Sequence, residues 1–144
     1  MKRKCLVALF AFVLWTLAAA AFAQHHHQGM DHGPIGSMAS CAQNCKDCQK
    51  KCEETLAYCQ KQGGAHKSDE HLKALQDCIQ TCKQSQDFIN RGSAMASVTC
   101  STCAEACKRC AESCLTFKDD KVMQACAEEC RKCKTSCLSM TKMK

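Results

Sequence analysis

The sequence predicts an all-α protein, an antiparallel four-helix bundle with a cysteine-lined core, and three observations carry that prediction. Cys100, Cys103, Cys107, Cys110 and Cys114 are separated by 3, 4, 3 and 4 residues, so a helix repeating every ~3.6 residues projects all five thiols from one face. The same alternation returns at Cys41, Cys45, Cys48 and Cys52, and again at Cys126, Cys130, Cys133 and Cys137. Pro34 is the single proline and aromatic residues make up 5% of the chain, which permits long helices after residue 35 and leaves no material for an aromatic core.

Stripes of this period normally carry Leu, Ile or Val at the buried positions of a bundle. Here the seam is sulfur. A thiol is small and an underfilled core costs stability, so the pattern implies that something other than hydrocarbon fills the axis.

Residues 1–23 read as a secretory signal peptide. Lys2, Arg3 and Lys4 form a basic start, an apolar run follows from Leu6 to Phe22, and Ala21-Phe22-Ala23 offers a small-residue cleavage site. The apolar run is shorter than the ~20 residues of a membrane-spanning helix, so the expected address is exported and periplasmic, with no membrane attachment after cleavage. Of the 17 cysteines, Cys5 leaves with this segment. Residues 24–37 are polar, hold His25, His26, His27, Met30 and His32, and are expected to form a disordered tail. Imidazole and thioether both bind copper, so the tail either captures ions or is simply solvated.

Residues 38–144 are expected to form the bundle. A first helix over 38–62, with Ser37 or Ser40 as cap and Gly63-Gly64 as stop, carries Cys41, Cys45, Cys48, Cys52 and Cys59; Thr55 interrupts its stripe. Lys46, Lys50, Lys51 and Glu53 face outward. A second helix over 69–90 reads His71, Leu75, Cys78, Cys82, Ser85, Ile89 along its seam, with Leu72, Leu75, Ile79 and Ile89 as packing residues. The third, over 94–117, carries the five-cysteine stripe. Lys118-Asp119-Asp120 supplies a turn and a cap for the fourth, over 121–141, whose seam is Met123, Cys126, Cys130, Cys133, Cys137 and Met140.

Antiparallel packing lays these stripes in layers, Cys45, Cys82, Cys103 and Cys133 at one level and Cys48, Cys78, Cys107 and Cys130 at the next. Met38, Ile89, Met95 or Ala96, and Met140 close one end; Cys59, His71, Phe117 and Met123 close the other. Pairs four apart, such as Cys48 and Cys52, Cys103 and Cys107, Cys110 and Cys114, or Cys126 and Cys130, can grip one ion from a single helix. Pairs three apart, such as Cys45 and Cys48, add to these.

The formal charge of +6 falls to about +3 without the N-terminal segment, too small and scattered to argue for nucleic acid. Soft thiolates select Cu(I), zinc or iron–sulfur clusters. Zinc asks for closed four-ligand cages, whereas the pattern is continuous, and the loop-borne cysteines of a ferredoxin are missing. An oxidising compartment favours disulfides; neighbours on one helix lack the geometry for a relaxed one, but bridges between helices stay open. Two classes therefore stand: a binding protein that holds cuprous ions without catalytic turnover, or a disulfide-stabilised helical interaction protein, with zinc binding as a third reading.

The runs at Cys41-Cys45-Cys48-Cys52 and Cys126-Cys130-Cys133-Cys137, with the related run on the third helix, resemble those of the bacterial copper storage proteins. The resemblance covers roughly residues 38–141. It implies a cysteine-lined bundle that stores many Cu(I) ions along its axis, assembled as a tetramer; a copper-receiving enzyme or chaperone is the partner such a store would call for. It also implies that ions enter at an end lined by Met and His, which here falls on Met38, Met95 and Met140, beside the histidine tail. Exported members of the family carry twin-arginine signals; this chain has Lys2-Arg3-Lys4.

Overall fold

The computed structural model describes residues 34–142, and the proposed signal peptide and the histidines of the tail lie outside them. Four helices follow in order: α1, Pro34–Gln62; α2, Asp69–Asn90; α3, Ala96–Leu115; and α4, Lys121–Thr141. A 3₁₀ turn, Gly64–Lys67, joins α1 to α2. The bounds of α2 and α4 are those the sequence predicts. Helix α1 instead begins at Pro34, because proline lacks only an amide hydrogen that the first helical turn leaves unbonded anyway, and its ring pre-sets the helical φ. Ser37 and Ser40 therefore lie inside the helix rather than capping it.

The ends have local causes. Gly63 closes α1 at φ 73°, donating its amide to the Cys59 carbonyl at 3.1 Å. At the end of α2 the Gly92 amide bonds the Ile89 carbonyl and the Ser93 amide bonds that of Phe88, with Gly92 at φ 62°; this paired closure needs a left-handed residue that glycine adopts without strain. Helix α3 is shorter than the predicted 94–117. Ser93 Oγ accepts the Met95 amide, and Thr116 turns back on Ser113 through its hydroxyl. Asp120 caps α4 as expected, accepting the Val122 and Met123 amides at 2.8 and 3.2 Å.

Each helix packs against its two cyclic neighbours, α1 on α2 and α4, and α3 on α2 and α4. The pairs Cys48–Cys78, Cys82–Cys103 and Cys45–Cys133 are in contact, which fixes an up-down-up-down bundle with the predicted register. Alanines 42, 104, 111 and 127 are buried beside the seam, so the helices approach closely. Leu75 and Met123 are the largest side chains buried without exposure. Leu56, Leu72 and Leu115 pack against this core, leaving Leu138, 43% exposed, as the apolar leucine on the surface.

With so little hydrocarbon on the axis, Leu75 carries an unusual share of the apolar packing. Leu75→Ala is expected to lower the stability of the metal-free protein by about 2–5 kcal/mol, measured by denaturant unfolding under reducing conditions. A loss below about 1 kcal/mol would mean that the thiol core closes around the gap.

Candidate metal centre

All sixteen cysteines from Cys41 to Cys137 are buried and free. Their sulfurs form a chain along the axis. Cys82 meets Cys103 at 3.5 Å, Cys107 at 3.9 Å and Cys133 at 3.8 Å. One level further, Cys48 meets Cys78, Cys107 and Cys130 at 3.8, 4.0 and 3.8 Å, and Cys78 meets Cys107 and Cys130 at 3.7 and 3.9 Å. Beyond it Cys52 meets Cys110, Cys126 and Cys130 at 3.9, 3.9 and 3.7 Å. Toward the other end Cys137 sits 3.7 Å from Cys45 and 3.9 Å from Cys41. The two predicted layers are thus present, and sulfur contacts run between them.

These spacings suit shared metal ions. With metal–sulfur bonds of about 2.3 Å, two thiolates on one ion stand about 3.8 Å apart in a tetrahedral site and about 4.0 Å apart in a trigonal one. A disulfide needs about 2.05 Å and a single partner for each sulfur, whereas Cys48 has three sulfur neighbours within 4.0 Å.

Five clusters bring three or four sulfurs within 4.8 Å of one another: Cys45, Cys103, Cys133 and Cys137; Cys48, Cys82, Cys107 and Cys133; Cys48, Cys52, Cys78 and Cys130; Cys52, Cys110, Cys126 and Cys130; and Cys41, Cys100 and Cys137. Cys48, Cys52, Cys130, Cys133 and Cys137 each belong to two clusters. The four-apart pairs Cys48–Cys52 and Cys126–Cys130 share a cluster, and Cys103 touches Cys107 at 3.9 Å. Cys110 and Cys114 share none of these clusters, nor do the three-apart pairs Cys45–Cys48, Cys100–Cys103, Cys107–Cys110 and Cys130–Cys133.

Close thiols also share protons. Hydrogen bonds from Cys107, then Cys130, hold the Cys48 thiol below its usual range; those from Cys100, then Cys137, do so for Cys41; those from Cys110, then Cys114, do so for Cys126. Cys107 moves up, chiefly through Cys103. Neighbouring thiols thus differ in acidity, and an incoming cation displaces their protons.

The ends differ from the middle. Met140 is buried and Met38 packs against the core. Met95 does not line the axis: it sits at the N-cap of α3, 49% exposed, and the buried Ala96 takes its place. At this end Ser85 of α2 has a buried hydroxyl with no hydrogen-bond partner among the described residues. At the opposite end Cys59 Sγ lies 3.4 Å from His71 Nε2. Thr55, the gap in the α1 stripe, gives its hydroxyl to the Lys51 carbonyl at 2.8 Å and offers no ligand. His71 stands on the α2 seam at the level of Cys59, and that seam position was the sequence signal for it; a histidine satisfied at a helix end reads the same way. Burial lowers His71 below the usual imidazole range and pushes Cys59 up to about 11.

A buried, continuous thiol column on a four-helix scaffold defines what to compare. The family model described as copper storage protein matches residues 35–142. The chain belongs to the copper storage protein family. Among solved structures, a crystal structure of a protein from Nitrosospira multiformis superposes with a TM-score of 0.70 at 29% identity, covering 76% of this chain and 98% of that one. The Cu(I)-bound copper storage protein BsCsp3 superposes with a TM-score of 0.68 at 26% identity, covering 73% of this chain and 98% of that one. No curated protein sequence matches. The family assignment and the column agree on the same residues: the matched segment contains every cysteine of the five copper-sized clusters.

Proposed function

We propose that this protein is an exported Cu(I) store, holding many cuprous ions on the sixteen thiols of its axis and releasing them without catalytic turnover. The observation that carries the reading is the sharing of sulfurs between adjacent clusters. Cu(I) accepts two or three thiolates and tolerates shared ones, so it can occupy such a column continuously. Zinc needs four ligands to itself, and no more than two of the four-thiol clusters are free of common members. A zinc titration of the reduced protein is therefore expected to saturate at about two tightly held ions, against roughly eight or more for Cu(I); four tightly held zinc ions would favour the zinc reading.

Export rests on the signal-like residues 1–23, and the periplasm is the destination they imply. Copper on the thiols reconciles that address with sixteen reduced cysteines, because a bound ion masks the sulfur from oxidation. Met38 and Met140, near the Cys41, Cys100 and Cys137 cluster, are suited to hand ions inward, since thioether binds Cu(I) softly. Met95, outside the seam, is suited to first contact only. The exposed Val98 and Leu138 offer apolar surface for a homotetramer, and a copper-receiving enzyme or chaperone is the expected client.

Expression of the full chain in a Gram-negative host with added copper tests the reading as a whole. Copper-loaded protein in the periplasmic fraction, beginning at Gln24 by mass, is the expected result. Copper-free periplasmic protein whose thiols are paired as disulfides would overturn it in favour of a secreted structural protein.

A further inference from the structure

From the contact between Cys59 and His71 we infer a terminal mixed-ligand site, in which Cys59 Sγ and His71 Nε2 together hold one Cu(I) ion at the end opposite Met38 and Met140. The inference rests on the storage reading and adds a ligand of a different kind to it. Cys59 belongs to none of the five thiol clusters, and the step between it and Cys52 on α1 is Thr55, whose hydroxyl is already engaged. The sulfur is nonetheless not isolated. His71 Nε2 stands 3.4 Å away, and both residues are buried.

The imidazole is held for this task from behind. His71 Nδ1 lies 2.7 Å from Ser113 Oγ, and a ring whose Nδ1–H donates to that hydroxyl presents the Nε2 lone pair to the sulfur. Metal-bound histidines are oriented in this way by a partner on the other nitrogen. Bonds of about 2.3 Å to sulfur and 2.0 Å to imidazole place two ligands of one ion about 3.5 Å apart at a tetrahedral angle and about 3.7 Å at a trigonal one, so the apo spacing of 3.4 Å needs only a small opening.

Two further features give the site a route at each side. Toward the column, Cys126 is the first cysteine on the buried seam of α4 inward from this end, and it belongs to the Cys52, Cys110, Cys126 and Cys130 cluster. Toward solvent, His71, Ser113 and Phe117 line one end of the groove between α2 and α3. Phe117 covers the His71 ring at 4.9 Å and is itself stacked by His66 at 4.3 Å. Asp120 holds that cover down through His66 and Tyr58, each at 2.9 Å. An ion at Cys59 and His71 thus sits between the sulfur column and a groove.

The test compares the full chain with His71→Leu and Cys59→Ser in an anaerobic Cu(I) titration against a competing chelator, together with the imidazole ¹⁵N spectrum of the wild type during loading. Either substitution is expected to remove about one ion while the remainder stays bound, and the His71 Nε2 resonance of the wild type is expected to move as that ion binds. The spectrum reads the site without any variant, so a substitution that disturbs folding leaves the outcome decidable. Wild-type protein that withholds many ions while its His71 resonances stay fixed, and while both variants keep full capacity, would overturn the terminal site and leave storage intact. Wild-type protein that withholds one or two ions would instead bring down the storage reading on which the site rests.

Discussion

Loading with Cu(I) is expected to raise the unfolding temperature of the reduced protein by at least about 20 °C. Every thiol cluster draws its sulfurs from at least three of the four helices, so the sites exist only when the bundle is assembled. An unfolded chain offers only neighbouring pairs. A ligand that prefers the folded state adds about 2.7 kcal/mol at a hundred times its dissociation constant, and several ions add this repeatedly. At about 2–8 °C per kcal/mol for domains of this size range, even four such ions account for the shift. Anaerobic calorimetry of apo and loaded protein measures it. An unfolding temperature unmoved by copper would mean that the ions bind outside the axis.

Replacing shared sulfurs is expected to cost far more copper than replacing terminal ones. Cys48 and Cys130 each belong to two clusters, and together they touch three of the five, whereas Cys41 belongs to one. The double variant Cys48→Ser, Cys130→Ser should therefore lose about a third or more of the copper capacity, and Cys41→Ser about one ion. Each serine leaves a buried hydroxyl whose partners are sulfurs, at a cost of about 1–3 kcal/mol to the apo protein, so capacity is to be compared on folded material checked by circular dichroism. Equal losses from the two variants would contradict a column in which neighbouring ions share ligands.

The layers of this bundle were legible because the stripes repeat at one period on three helices and the connections are short enough to force antiparallel neighbours. Residues 69–90 and 121–141 could be bounded from the polar residues that precede them, Ser68 and Asp120, of which Asp120 caps its helix with the side chain and Ser68 does not. The start of α1 was not, since Pro34 reads as a stop when met from the tail and as a first helical residue once the helix exists. Three-apart and four-apart thiols looked equally able to share an ion. In a helix the four-apart residues diverge by about 40° and the three-apart ones by about 60° in the opposite sense, so the former lean to the same side of the axis and the latter straddle it. For the end layer of α3 the sequence left Met95 or Ala96 open; the Ser93 turn starts the regular helix at Ala96 and leaves Met95 outside it, half exposed. His71 was visible on the α2 stripe, but its partner depends on how far α1 continues past Thr55, which only the assembled bundle shows.

The central claim is that the sixteen thiols act as one cuprous column, and an anaerobic Cu(I) titration of the reduced chain from Gln24 onward, against a strong cuprous chelator, tests it most directly. The account predicts that the protein withholds on the order of ten or more ions per chain before the chelator responds, as shared thiolates allow. Saturation at one or two ions would contradict it, because the sulfur contacts along the axis would then be packing and not a store.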